Sequence, residues 1–156
     1  METLQRTANR GSISTGFDID NSLKLEEDNS EYLQRATGGG NGDTQKHTIS
    51  VWVKRTEITK TSFILGFANI GRLRFESDDK IEYQFRSGRK LETKRKFRDT
   101  SAWYHIVVVA DSSLATSTDR MKLYINGVRE TDLLTYIPQD QNQGSPLWGV
   151  YNTYNF

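Results

Sequence analysis

Hydrophobic and polar side chains alternate along most of this chain, and the alternation predicts strands. Ile49, Val51 and Val53 point one way while Ser50, Trp52 and Lys54 point the other, which is the period-two spacing of a half-buried strand. Phe63-Ile64-Leu65-Gly66-Phe67 is a short apolar run. Leu73 and Phe75 alternate with Arg72 and Arg74, and Ile81, Tyr83 and Phe85 alternate with Glu82, Gln84 and Arg86. Between these two segments Ser77-Asp78-Asp79-Lys80 supplies the residues of a hairpin turn. From Trp103 to Ala110 both faces are apolar, with Trp103, His105, Val107 and Val109 on one and Tyr104, Ile106, Val108 and Ala110 on the other. Such a pattern predicts a central strand covered on both sides. Met121, Leu123 and Ile125 alternate again and end at Asn126-Gly127, which tolerates positive φ at both turn positions and predicts a hairpin returning through residues 128–131.

Helical spacing over eleven or more residues is absent, with room for a single turn within residues 114–122. Seven or more short strands without a helix predict two antiparallel sheets packed face to face. Before Ser22 the chain is polar and turn-rich, with Asn9, Gly11, Ser12, Ser14 and Gly16, so residues 1–20 read as an arm. Leu23 and Leu25 alternate with Ser22 and Lys24, and Tyr32-Leu33 follows a charged turn. Residues 37–43, four of them glycine, read as a loop. The sandwich is expected over residues 21–135. An aromatic segment, residues 136–156, is expected to be an interface or the start of further chain.

Composition narrows the chemistry. The 156 residues contain no cysteine, which removes disulfides, thiolate metal sites and Cys nucleophiles. Two histidines cannot form a His-rich metal centre, and 21 basic against 20 acidic residues leave a net charge of +1. The overall balance therefore points to no polyanionic partner, and no nucleic acid is expected. Aromatics at 11% mark a folding chain. The longest apolar run, Ile106–Ala110, is far short of a membrane span, so no membrane insertion is expected.

Four segments in this order resemble the laminin G-like, concanavalin A-like jelly-roll domain: Ser22–Leu25, His47–Lys54, Trp103–Val108 and Met121–Gly127. The likeness spans about residues 20–135. A narrower similarity, to large virion and tail-fibre proteins of tailed bacteriophages, lies in Asp20–Lys24, Asn29–Leu33, Trp52–Arg55 and Phe97–His105. The resemblance implies an all-β antiparallel jelly-roll sandwich in a non-enzymatic virion structural protein, assembled in the host cytoplasm. Its expected partners are other virion proteins, copies of itself and a host surface glycan. The alternative function is a carbohydrate-binding module, and the weakest reading is a truncated glucan hydrolase. The family's closing aromatic strand, which returns beside the first, is expected to be missing, leaving an edge for a neighbouring subunit to cover.

Candidate sites follow from residue type. Arg86, Arg89, Lys90, Lys94, Arg95, Lys96 and Arg98 crowd positive charge around the single acid Glu92. The plainer reading is a solvated strand pair; the functional one is docking on an acidic protein, phosphate or acidic sugar. Tyr136, Trp148, Tyr151, Tyr154 and Phe156 form an aromatic set suited to an interface or to stacking on sugar rings. Because the resembled fold includes glucan hydrolases, Glu76, Asp78 and Glu82 are candidate catalytic carboxylates by spacing; the turn through Asp78 is expected to splay them, and no catalytic residue is assigned. His105 is expected to be a buried, hydrogen-bonded core residue and His47 to sit at a strand edge. No cofactor is expected. The resemblance implies calcium as a candidate ligand, for which Asp43, Asp78, Asp79 and Asp111 are available, but no spacing fixes a site.

Overall fold

The computed structural model describes residues 22–25, 31–35, 43–67, 70–145 and 154–155. The strands are β1 (Gln34–Arg35), β2 (Lys46–Lys54), β3 (Ser62–Phe67), β4 (Gly71–Phe75), β5 (Ile81–Arg86), β6 (Arg89–Thr93), β7 (Trp103–Asp111), β8 (Met121–Ile125), β9 (Val128–Arg129), β10 (Leu133–Ile137) and β11 (Tyr154–Asn155). Among the described residues one 3-10 turn forms, Ser117–Asp119, within the predicted window. The strands form two antiparallel sheets. One has seven strands in the order β1-β11-β3-β4-β5-β6-β10 and the other four in the order β2-β7-β8-β9.

Period-two patterning decides what lies between the layers. Leu73, Phe75, Ile81, Tyr83, Phe85 and Leu91 descend from the larger sheet, and Tyr104, Ile106, Val108, Met121, Leu123 and Ile125 rise from the smaller one, all buried. Ile49, Val51 and Val53 complete the packing. Both predicted turns form. Asn126 and Gly127 take φ 52° and 80°, and the Asn126 carboxamide oxygen accepts from the His105 N–H at 2.8 Å. In the other turn Asp79 carries φ 71°, and its N–H donates to the Glu76 carbonyl at 2.9 Å.

The expected missing strand is corrected. Tyr154–Asn155 lies between β1 and β3, pairing with Gln34–Arg35 on one side and with Gly66 on the other. Residues 22–25 are exposed and outside any strand, so the seam closes at residues 34–35 instead. Nor does the sandwich stop at 135. β10 carries Tyr136 into the layer contact, and Gln139 and Ser145 beyond it are buried. The return strand after Asn126-Gly127 is only Val128–Arg129. β7 departs from its expectation as well: Trp103, His105, Val107 and Val109 are half-buried on an outer face that no third layer covers among the described residues.

Candidate functional site

Strand alternation sends the polar residues of β4, β5 and β6 to the outer face of the larger sheet. Register sets Arg74 opposite Glu82 and Glu82 opposite Glu92, with Arg72, Gln84 and Lys90 in the adjoining row. Residues 76–78 of the turn rim one end. The result is a shallow open trough of about 460 Å³, lined by Arg72, Arg74, Glu76, Asp78, Glu82, Lys90 and Glu92. A smaller cleft of about 190 Å³ between β8 and β10 has a floor of Leu91, Met121, Leu123, Leu133 and Tyr136 and lacks this density of polar groups.

Glu82 is the centre of the trough. It is buried, and its carboxylate accepts from Arg72 Nε at 2.8 Å and Lys90 Nζ at 3.0 Å, with Arg74 at 3.3 Å. Burial raises the cost of its charge, but the bonds from Arg72 and Lys90 and the two arginine charges outweigh it and hold the carboxyl below the ordinary glutamate value. Glu76 moves the other way. Burial and then the neighbouring Glu82 charge push it up, against an opposing bond from Arg74. The expected splaying of Glu76, Asp78 and Glu82 is thus only partly met: Asp78 leaves on the turn and pairs with Lys80 at 2.5 Å, whereas Glu76 and Glu82 converge on Arg74, which reaches Glu76 at 2.6 Å. Phe63, half-exposed on β3, lies under the Arg74 guanidinium at 5.4 Å and gives the trough an apolar flank.

The basic run does not make one positive face. It begins on β5 at Arg86, passes through β6 with Arg89 and Lys90 on alternate faces, and continues beyond β6 from Lys94 to Arg98, so its members sit on different elements. Lys90 enters the trough and also meets Glu92 at 3.0 Å. Arg89 is held by both oxygens of Asp140 at 2.9 and 2.8 Å. Lys94 pairs with Asp132 at 2.7 Å, Arg98 with Asp79 at 2.9 Å, and Arg95 lies over the Phe97 ring at 5.1 Å. Arg86 is half-buried at the end of β5 and Lys96 is exposed beyond β6. Of the aromatic set, Tyr136 is bound inward: its hydroxyl donates to the Ser117 carbonyl at 2.8 Å and accepts from the Met121 N–H at 3.2 Å. Tyr154 lies in β11, and Trp148, Tyr151 and Phe156 lie outside the described residues, as do the arm and most of the glycine loop.

His47, expected at a strand edge, turns into the core, and His105, expected there, faces outward while keeping a hydrogen bond. His47 points between the sheets, its Nε2 at 2.6 Å from the Tyr83 hydroxyl and its ring stacked on Phe85 at 5.6 Å. Burial lowers its pKa to about 4, partly opposed by Asp43. His105 lies on the outer face of the smaller sheet, stacked on Trp52 at 4.8 Å and bonded to the Ser50 hydroxyl at 3.0 Å. Alternation from Ile49 already puts His47 on the core face, so this signal was present in the sequence.

The calcium candidates do not fit a calcium site. Asp79 is fully buried and bonded to Arg55 at 3.1 Å, to Arg98 at 2.9 Å and to the Thr59 N–H at 2.6 Å. The Thr59 bond first, then those of Arg98 and Arg55, hold its carboxyl below the usual range. Asp111 binds Ser113 and Lys46, and Asp43 accepts from the Gln45 N–H. Among the described residues no three carboxylates or histidines gather where a metal ion would be held. No helix among them is long and apolar enough to cross a membrane.

A two-layer antiparallel sandwich with a polar trough across its larger sheet defines a lectin-like jelly roll. The chain belongs to the concanavalin A-like lectin/glucanases superfamily: a laminin G-type family model of that description matches residues 27–155. The chain matches no curated protein sequence.

Proposed function

We propose that the chain is a non-catalytic carbohydrate-binding module within a tailed-bacteriophage virion structural protein, where it serves assembly and attachment to a host surface glycan. The observation that carries the binding reading is the trough itself. Buried apolar contact would be the ordinary fate of a seven-stranded sheet face; here arginine, lysine, glutamate, aspartate and serine line it, flanked by Phe63. Carboxylate and guanidinium groups held in fixed pairs offer acceptors and donors at set positions, the arrangement that sugar hydroxyls need. Membership of a lectin-containing superfamily supports the same reading without deciding function alone.

Pairing also argues against hydrolysis. A nucleophilic or proton-donating carboxyl needs freedom to change partners, and Glu82 is held by three cations. The trough has as many cationic as anionic side chains once Lys80, which reaches Asp78 and Glu92, is included. Its ligand is therefore a neutral, hydroxyl-rich glycan rather than the acidic sugar suggested by the basic run. The phage setting is supported by the likeness of Asp20–Lys24, Asn29–Leu33 and Phe97–His105 to tail-fibre proteins.

Calorimetry against neutral and anionic polysaccharides tests the binding. Neutral glycan is expected to bind with little salt dependence and to release no reducing ends. Binding confined to anionic polymers, or weakened steeply by salt, would overturn the assignment of ligand. Immunogold labelling of intact particles tests the virion setting.

A further inference from the structure

Among the described residues the two sheets present four edge strands: β1 and β10 on the larger, β2 and β9 on the smaller. Three carry the devices that discourage strand addition. β1 and β9 are two residues long and each includes an arginine. β2 is long, but lysines stand at both its ends and its outward positions include Thr48 and Ser50. β10 differs. Its sequence Leu-Leu-Thr-Tyr-Ile has no charge, and Leu134 and Ile137 are 51% and 40% exposed. One side pairs with β6; among the described residues no strand pairs with the other.

We infer that the free edge of β10 is a self-association site, at which a second copy of this chain adds its own β10 antiparallel to form one continuous sheet across two molecules. The occupant follows from the chemistry of the edge. An uncharged apolar strand needs an uncharged apolar partner, and among the described residues β10 is the one edge strand of that kind. Antiparallel pairing about a twofold axis at Thr135 sets Leu134 opposite Tyr136 and Leu133 opposite Ile137, with no like charges facing within the strand. The irregularity between Leu133 and Thr135 limits the ladder to a few residues. Even five residues span only roughly 17 Å, well below the extent of a standard interface of about 1,600 Å². The dimer is accordingly weak and concentration-dependent.

The twofold axis of such a pair stands perpendicular to the sheet, so both outer faces point the same way. The two copies of β5 lie five strand spacings apart, roughly 24 Å. If the trough binds glycan as proposed above, which this consequence alone depends on, the dimer presents two sites side by side and gains avidity on a repeating polymer.

Sedimentation equilibrium of the full chain from about 10 μM to 1 mM, a range chosen for a small interface, tests the site. A monomer–dimer equilibrium is expected, weakened at least about tenfold by Leu134→Lys and by Ile137→Lys, both at exposed positions, with unchanged circular dichroism and melting. Val128→Lys, on the β9 edge, is expected to leave it unaltered. A 17.9 kDa species throughout the range, or lysine variants at residues 134 and 137 that associate as tightly as the parent, would overturn the inference. A dimer that binds no sugar upholds the interface and removes the trough reading.

Discussion

The two sheets present opposite outer faces. That of the larger sheet is a ladder of paired charges, Arg72, Arg74, Glu82, Lys90 and Glu92. That of the smaller one is aromatic and aliphatic, with Trp52 stacked on His105 and Val107 paired to Tyr124. Both sheets are antiparallel and share the apolar layer between them. The contrast therefore lies wholly in the alternate residues that the pleat sends outward. Charges on the larger sheet sit where a neighbouring strand supplies a counter-charge, and this allows Glu82 to be buried while ionised. Along β7 such a pair occurs only at the strand's end, Lys46 with Asp111 at 3.8 Å, and its middle uses ring contacts instead.

The largest effect is expected beneath both faces, where the layers are pinned together. Asp79→Ala leaves the buried Arg55 guanidinium without its carboxylate, and a loss of about 3–5 kcal/mol is expected by urea unfolding. An equal loss from a trough or outer-face substitution would mean that the faces, rather than the pins, carry the stability. The second pin, His47 against Tyr83, responds to pH. Its folded pKa of about 4 lies below the ordinary 6.5, so the folded state prefers neutral imidazole. Stability is complete above about pH 6.5 and falls as pH drops toward 4, by up to about 3 kcal/mol. His47→Gln is expected to flatten that part of a stability–pH profile measured beside the parent.

Effects at the faces are smaller and differ in kind. Glu82→Ala leaves Arg72, Arg74 and Lys90 sharing fewer carboxylates and is expected to cost about 2 kcal/mol in unfolding experiments, together with glycan binding. Arg74→Ala is expected to weaken neutral-glycan binding about tenfold by calorimetry, the worth of one hydrogen bond to a charged group. Trp52→Ala is expected to reverse this balance, with about 1 kcal/mol lost from the stack on His105 and glycan affinity unchanged. Binding lost in Trp52→Ala and kept in Arg74→Ala would move the site to the smaller sheet.

Much of the fold was legible in the residues. Alternation located β2, β4, β5, β7 and β8, and the turns at Ser77–Lys80 and Asn126-Gly127 formed where their residue types predict. The trough was less visible. Arg72 and Arg74 read as ordinary outward positions, Lys90 as one of the basic run, and Glu76 and Glu82 as splayed carboxylates, because nothing local reveals that Arg74 lies between the two. The basic run misled for a related reason. Closeness along the chain suggested a patch, but Arg89 meets Asp140 and Lys94 meets Asp132, partners far away in sequence.

Local patterns, by themselves, determined that this chain forms strands and tight turns, since a two-residue period and a turn's φ values depend only on adjacent residues. Tertiary structure alone decided which strand lies at each edge, that residues 154–155 close the seam beside β1, and that the inward-facing His47 meets the Tyr83 hydroxyl. It also chose the partner of every buried charge. Such outcomes depend on pairings between distant segments, where the low dielectric of the interior makes an unmatched ion costly and so selects one register over its neighbours.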